Sequence, residues 1–349
     1  MRWRSMAGRA RRALSFLAGA ITVKLGSRTL ILFLLATFGL PPIIIWAQAT
    51  KTSFTVAILN PLSSPDPGVE SFRAGLREIG YTEGQNLALE LRWANGELPG
   101  LPNLAAELVA LNPDVMFVVG EHSLSAAKQA TLDKPIPLVV FACDPLDKFI
   151  FSLARPGGSA TGLSCVLSDL ASKRLQYLKE AMPELTRAAV LYNPADPNKI
   201  SEFRQLEDAG QRLRISVHAF EVRDLTGVES AFTTISNERL QAVVILVEAF
   251  TIFHRRKLAE LAVQHRVPMV SGFKEFAEAG ALLSYGAQRS ALFRRAATYV
   301  DRILKGAKAG DLPVEEPTQF ELFINQKTAK AIGLTIPPSL LVRADQVIE

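Results

Sequence analysis

Polar and aromatic side chains stand where several predicted strands end. They are hydroxyl, imidazole, carboxylate, amide and phenyl groups: Ser63, Ser64, His122, Ser123, Asp144, Asn193, Glu248, Phe250 and Phe273. Carboxylates attract an ammonium group, hydroxyls and backbone N–H groups at helix starts bind an anionic end, and rings stack on an apolar body. The set therefore predicts a site for a small polar ligand that carries an amine and an apolar or aromatic part.

Two of these side chains also fit purely structural roles. Asp144 stands at a predicted strand end before Pro145, which suits a helix cap as well as a ligand contact. Ser123 opens a predicted helix and fits its N-cap equally well. We expect Asp144 and Glu248 to hold the cationic groups of a ligand, and Phe250 to pack on its apolar part.

The same residues offer one catalytic alternative. In Gly120-Glu121-His122-Ser123, a base stands beside a hydroxyl, which would suit a small hydrolase or lyase if an orienting acid converged on it. The sequence contains no G-x-S-x-G elbow, no Walker loop and no G-x-G-x-x-G after its first strand. His254 and His265 lie eleven residues apart and lack a ligand partner at metal spacing. We therefore expect a binding protein without cofactor or metal, not an enzyme.

The elements that must position these residues alternate between strand and helix. Apolar runs such as 55–60, 115–119, 137–142 and 242–247 are typical of buried strands, and segments with helical spacing separate them. This rhythm predicts parallel sheets covered on both faces, with ligands beyond the carboxyl ends of the strands.

The rhythm restarts once, which predicts two lobes. The expected fold is α/β, with two doubly wound parallel-sheet lobes joined by a multi-strand hinge. We assign 52–165 plus about 287–314 to the first lobe and 166–286 plus about 315–349 to the second. A chain of 349 residues is long enough for two such units.

Residues 1–49 have the character of a targeting segment. Of the 39 Lys and Arg residues, seven lie in this stretch, whereas all 34 Asp and Glu residues follow it. An apolar run, 30–46, precedes Ala47-Gln48-Ala49, which has the small-residue pattern of a signal-peptidase site. We expect a signal peptide, with an uncleaved membrane anchor as the alternative, and no nucleic-acid surface on the slightly acidic body.

Cys143 and Cys165 stand near the ends of neighbouring predicted strands. Export to an oxidising compartment would permit a disulfide between them. Two small buried thiols explain the pattern equally simply, and we favour that interpretation.

A longer motif carries a family resemblance. Leu153-Ala154-Arg155-Pro156-Gly157-Gly158-Ser159-Ala160-Thr161-Gly162 resembles the L-A-R-P-G-G-N-x-T-G signature of the ABC transporter substrate-binding protein family related to tryptophan/tyrosine-type binding proteins. The resemblance continues in 72–84, 104–114, 190–194, 276–286 and 311–349, and so covers nearly all of the chain after residue 49. It implies a type I periplasmic-binding-protein fold, with the ligand in a cleft between two lobes.

The chain departs from the family pattern at one loop. Where members have D-P-V-G-A-G-L-V, this chain has Asp144-Pro145-Leu146-Asp147-Lys148-Phe149-Ile150-Phe151. The glycine pair is replaced by bulk and charge, so we expect this loop to present a different shape to the ligand.

The resemblance implies the solute-binding component of an ABC importer. We expect an exported, monomeric, periplasmic protein that captures a small polar ligand, amino-acid-like or aromatic, and delivers it to an ABC permease in the inner membrane. Two alternatives remain from the residues: the hydrolase or lyase at His122 and Ser123, and a membrane-anchored ligand sensor.

Overall fold

The computed structural model describes residues 53–349 apart from 144, 145, 147, 148 and 169, together with the backbone of three short strands nearer the start. These strands, β1 (Ala20–Leu25), β2 (Arg28–Phe33) and β3 (Ile44–Ala47), form an antiparallel sheet within a separate unit, 1–53. The rest of the predicted leader lies outside the described residues. Among those described, no helix is both long and apolar enough to cross a bilayer.

A five-stranded parallel sheet forms the first half of the second unit. Its order is β5-β4-β6-β7-β8, with β4 (Phe54–Asn60), β5 (Leu87–Trp93), β6 (Val115–Val119), β7 (Leu138–Ala142) and β8 (Ala160–Ser164). Every residue of β6 and β7 is buried, as is expected of parallel strands with helices on both faces. At Gly162 a side-chain Cβ would lie 2.0 Å from the Val140 carbonyl oxygen, so the close pairing of β7 and β8 here requires glycine.

A seven-stranded sheet forms the second half. Its order is β10-β9-β11-β12-β13-β14-β15, with β9 (Arg187–Tyr192), β10 (Ser216–Glu221), β11 (Ala242–Ile245), β12 (Met269–Ser271), β13 (Leu283–Ala287), β14 (Phe320–Asn325) and β15 (Gln346–Ile348). All pairs are parallel except β13 with β14. The chain leaves the sheet at Ala287 and returns at Phe320, which pairs with Ala287, so β14 must run in the opposite direction.

Helices cover both sheets. They are α1 (Pro67–Glu78), α2 (Leu101–Ala110), α3 (Glu121–Ala130), α4 (Ala171–Ala181), α5 (Pro197–Leu213), α6 (Leu225–Asn237), α7 (Ala249–Phe253), α8 (Arg255–Gln264), α9 (Lys274–Ala279), α10 (Arg289–Leu304), α11 (Gln326–Ile332) and α12 (Pro338–Leu341). Asp66 and Asp196 cap α1 and α5, and a proline follows each of them at the first helical position.

Three connections join the two sheets. The first, 165–170, runs from β8 to α4, the second leads from β13 into α10, and the third returns from α10 to β14. Although α10 follows a strand of the seven-stranded sheet, it packs on the five-stranded one: the ring of Phe293 lies 5.3 Å from that of Phe117. The third connection runs beside β8, where Ser164 N–H donates to the Glu315 carbonyl. The end of β8 and the third connection therefore run side by side.

Helical spacing in the sequence predicts one helix over 124–131 and another over 252–265, and both predictions were wrong at their boundaries. The first helix begins at Glu121, because Gly120 at φ +82° reverses the chain one turn earlier. The second is two helices, which meet at His254.

The Arg155-Pro156-Gly157-Gly158 corner is architectural. Gly157 and Gly158 both have positive φ, and Gly157 N–H donates to the Gly310 carbonyl at 3.1 Å. The corner therefore fits against the third connection, as its Pro and Gly content predicts for a structural turn.

Cys143 and Cys165 form a disulfide, with their Cα atoms 4.7 Å apart. Our preference for two separate buried thiols was wrong. The cysteines directly follow Ala142 and Ser164, which pair in register in β7 and β8, so strand pairing itself brings them together.

Candidate functional site

A small cavity of about 50 Å³ lies between the carboxyl ends of the two sheets. Segments after β4, β6 and β7 border it on one side, and segments after β9, β11 and β12 on the other. This is the edge at which ligands bind in open α/β sheets.

One wall of the cavity is apolar. Phe141 lies next to the final residue of β7, Phe273 follows β12, and their ring centroids are 6.4 Å apart across the boundary between the sheets. Pro61, Leu62, Val119, Val247 and Ile252 extend this wall. An apolar body, and an aromatic ring in particular, would be desolvated favourably here.

Three carboxylates stand at the cavity margin. Glu248 comes from the end of β11, Asp196 from the loop after β9, and Glu121 from the first turn of α3. Glu248 forms a capping box with Thr251 at the start of α7, and its Oε1 accepts the Asn193 N–H at 3.1 Å. Glu121 Oε1 accepts the Cys143 N–H at 2.7 Å. These bonds hold Glu248 and Glu121 in place, and the negative charge of Glu248 and Asp196 favours a cationic group.

The first turn of α3 provides the opposite electrostatic feature. Gly120 is its N-cap and supplies no side-chain hydrogen bond, and Gly120, Glu121 and His122 all border the cavity. The backbone N–H groups there suit an anionic group such as a carboxylate, whereas the Glu121 carboxylate of the same turn is bonded to the Cys143 N–H.

A buried arginine forms part of the cavity floor. Arg289, the first residue of α10, makes two 2.7 Å bonds from Nη1 and Nη2 to the carboxylate of Asp66. Asn60 Nδ2 donates to the same carboxylate at 2.9 Å, and Asp66 in turn caps α1 through the Gly68 N–H. The guanidinium also lies 4.4 Å from the centroid of the Phe293 ring.

The electrostatics of this pair keep both partners charged. Burial alone would raise the pKa of Asp66, but the charge of Arg289 and the hydrogen bonds from Arg289, Asn60 and Gly68 hold it below its usual value. Burial likewise opposes the charge of Arg289, but Asp66 and Glu275 raise its pKa.

The predicted site residues fall into three groups. His122, Glu248 and Phe273 line the cavity, and Ser63 lines a smaller cavity beside it. Asn193 contributes its backbone N–H to Glu248, and its side chain accepts the Ala195 N–H. The remaining three described residues are Ser64, which is exposed, Ser123, which is buried inside α3, and Phe250, which packs edge-on against His254 in α7. Asp144 lies outside the described residues, although its neighbour Cys143 lines the cavity.

The structure removes the basis of the catalytic alternative. Ser123 is fully buried, and its Oγ has no hydrogen-bond partner among the described residues, so His122 does not activate it. The expected N-cap role of Ser123 was also wrong, because Gly120 holds that position.

Sequence reasoning missed four residues of the site. Glu121 and Asp196 are carboxylates close to strand ends. The expectation that ligands bind beyond the carboxyl ends of strands could therefore have included them. Asp66 also gave a signal as the residue before Pro67 at a helix start. Arg289 gave none, because it reaches this edge of the first sheet only through the crossing connection into α10.

Two α/β sheets joined by three connections, with a small-molecule cavity between their strand ends, define a two-lobe substrate-binding protein. A sequence model of the ABC transporter substrate binding protein family matches residues 55–348, and the chain belongs to that family. This is a family of substrate-binding proteins and not of enzymes.

Known proteins support the same fold. The chain is 24% identical over 272 residues to the tyrosine-binding protein of Clostridioides difficile (strain R20291), with 78% of each chain covered. It resembles the crystal structure of a conserved domain protein from Vibrio cholerae, with a TM-score of 0.79, 28% identity, and coverage of 85% of this chain and 100% of that one. An ABC domain from Streptococcus pneumonia, crystallised with L-Trp, gives a TM-score of 0.78 at 22% identity and the same coverage.

Proposed function

We propose that this protein is the exported substrate-binding component of an ABC importer and that it captures an amino acid with an apolar or aromatic side chain. The observation that carries the proposal is the division of the cavity into a charged margin and an apolar wall. Glu248 and Asp196 favour the ammonium group, the first turn of α3 favours the carboxylate, and Phe141 and Phe273 pack on the side chain.

The relatives agree with this ligand class. One is described as a tyrosine-binding protein, and another was crystallised with L-Trp. Both ligands combine the ammonium, carboxylate and ring that match the chemistry of the cavity lining. We include His122 and Asp144 among the proposed ligand contacts, because His122 lines the cavity and Asp144 follows Cys143.

Two features support export to the periplasm. The chain carries a disulfide, which forms and persists in oxidising compartments. It also begins with a basic stretch, an apolar run and Ala47-Gln48-Ala49. We propose that the mature protein is a monomer that presents its closed form to an ABC permease in the inner membrane.

Contacts from both sheets to one ligand would couple binding to closure. A ligand shifts the population towards the closed form by its difference in affinity for the two forms. In the present form, the turn after β5 touches α7 across the boundary: a Cβ at Gly96 would lie 3.0 Å from the Phe253 ring. The permease could therefore distinguish loaded from empty protein.

A thermal-unfolding screen tests the proposal. Apolar and aromatic L-amino acids at about one hundred times their dissociation constant should raise the unfolding temperature by about 4 °C. Sugars, nucleosides and polyamines of similar size serve as controls and should leave it unchanged. If a sugar raises it and no amino acid does, the proposed ligand class is wrong.

A further inference from the structure

A second cavity, of about 30 Å³, adjoins the first. Leu62, Ile252 and Arg289 line both cavities and mark the border between them. Beyond this border the lining becomes more polar, with Ser63, Asp66 and Glu275. A ligand whose charged end lies at Glu248 and α3 would direct its side chain past Leu62 and Ile252 towards this second cavity.

Glu275 lines this second cavity and carries a buried, unsatisfied acceptor. It is the second residue of α9, is only 8% exposed, and its Oε1 lies 3.5 Å from Arg289 Nη1. Its Oε2 is buried and has no hydrogen-bond partner among the described residues. A buried acceptor without a partner is costly, so such atoms in native proteins usually meet a ligand, a water or an ion.

The neighbouring arginine, Arg289, already donates its hydrogen bonds to another carboxylate. Nη1 and Nη2 of Arg289 each donate at 2.7 Å to Asp66, which fixes the plane of the guanidinium. Reorienting it towards Glu275 Oε2 would break the bidentate pair with Asp66. The missing donor must therefore come from elsewhere in the cavity.

We infer that Glu275 selects a ligand whose apolar side chain ends in a hydrogen-bond donor, such as a phenolic hydroxyl, an aromatic amine or an indole N–H. The inference rests on the proposed function and adds a specificity-determining residue to it. A ligand without that donor would leave Oε2 buried and unpaired, and the loss of one such bond weakens binding about tenfold.

Four aromatic amino acids of nearly the same shape test the inference by isothermal titration. L-Phenylalanine has no polar group at the ring end, L-tyrosine and 4-amino-L-phenylalanine have a donor, and O-methyl-L-tyrosine has only an acceptor. The two donors should bind about tenfold more tightly than phenylalanine, and O-methyl-L-tyrosine should not share this gain.

Glu275→Gln reverses the chemistry at one atom. An amide nitrogen in place of Oε2 donates where the carboxylate accepted, so the preference for tyrosine over phenylalanine should disappear and O-methyl-L-tyrosine should gain affinity. Glu278→Gln is the matched control, because Glu278 is exposed on the same helix, and it should keep the wild-type order. If Glu275→Gln does not fold, the four wild-type affinities still decide the matter.

The possible outcomes distinguish this inference from the proposed function on which it rests. Equal affinity of the wild type for tyrosine and phenylalanine would overturn the inference and leave the proposed function intact. A water or Arg289 alone would then satisfy the Glu275 carboxylate. Failure of every amino acid to bind would overturn both.

Discussion

Glu248 combines a structural role with a position at the cavity in one residue. It caps α7 and accepts the Asn193 N–H, yet it also borders the cavity. A change there must keep the acceptor oxygen if the effect on the ligand is to be separated from an effect on the fold.

Replacing Glu248 by glutamine should weaken amino-acid binding about tenfold or more, because it removes the charge opposite the ammonium group and keeps an acceptor for the cap. The unfolding temperature of the ligand-free protein should stay nearly constant. Glu238→Gln, at an exposed position, provides the control. Isothermal titration measures the effect, and unchanged affinity in Glu248→Gln would remove this residue from the site.

The buried pair of Asp66 and Arg289 should be important for stability. Asp66→Asn keeps the α1 cap and the shape, but it leaves the guanidinium with less compensating charge, and loss of one partner of a buried pair costs about 3–5 kcal/mol. Denaturant unfolding at neutral pH should show a loss of that order, whereas Asp208→Asn, an exposed change, should show almost none. An Asp66→Asn protein as stable as the wild type would contradict this account.

The same pair makes a pH prediction. Because the folded-state pKa of Asp66 lies below the ordinary value of 3.8, its contribution is complete above that value and is lost as the pH falls through the folded pKa. The stability difference between wild type and Asp66→Asn should therefore be constant from neutral pH to about pH 5 and shrink in more acidic solution. A difference that instead grew on acidification would have the wrong sign.

At the scale of elements, the first connection between the sheets holds one unusual residue. Val166 has φ +45°, in the left-handed region that β-branched residues rarely adopt. Its backbone strain is of the order of 1–2 kcal/mol, and glycine would carry none.

Val166→Gly should therefore leave the free energy of unfolding unchanged or raise it. Val217→Gly, at a half-buried position of β10, is the matched control and should lower it by about 1 kcal/mol or more. Guanidinium titration compares the two. Equal destabilisation by both changes would show that Val166 is not strained in the folded protein.

Strand and helix periodicity predicted most of these elements, because buried parallel strands such as β6 and β7 are continuous apolar runs. It did not separate α7 from α8, since the pattern continues through His254. Nor could it pair Asp66 with Arg289 or join the two cysteines, because both contacts depend on which strands and helices become neighbours. By contrast, the sequence did predict Glu248 and Phe273 as site residues. Both follow the carboxyl ends of strands, and that position depends on sheet topology alone.

At the scale of the whole molecule, we propose that recognition depends on both ends of the ligand being held at once. Glu248 and Asp196 belong to the seven-stranded side, whereas α3 belongs to the five-stranded side. Ammonium and carboxylate contacts would thus bridge the two sheets, and each would contribute a charge-assisted bond.

Titration of the wild-type protein with L-tyrosine, tyramine and 3-(4-hydroxyphenyl)propionate tests this central claim directly, because the two analogues lack the carboxylate and the amine respectively. We predict one bound tyrosine per chain, with each analogue weaker by about tenfold to a hundredfold. Analogues that bind as tightly as L-tyrosine would contradict the account.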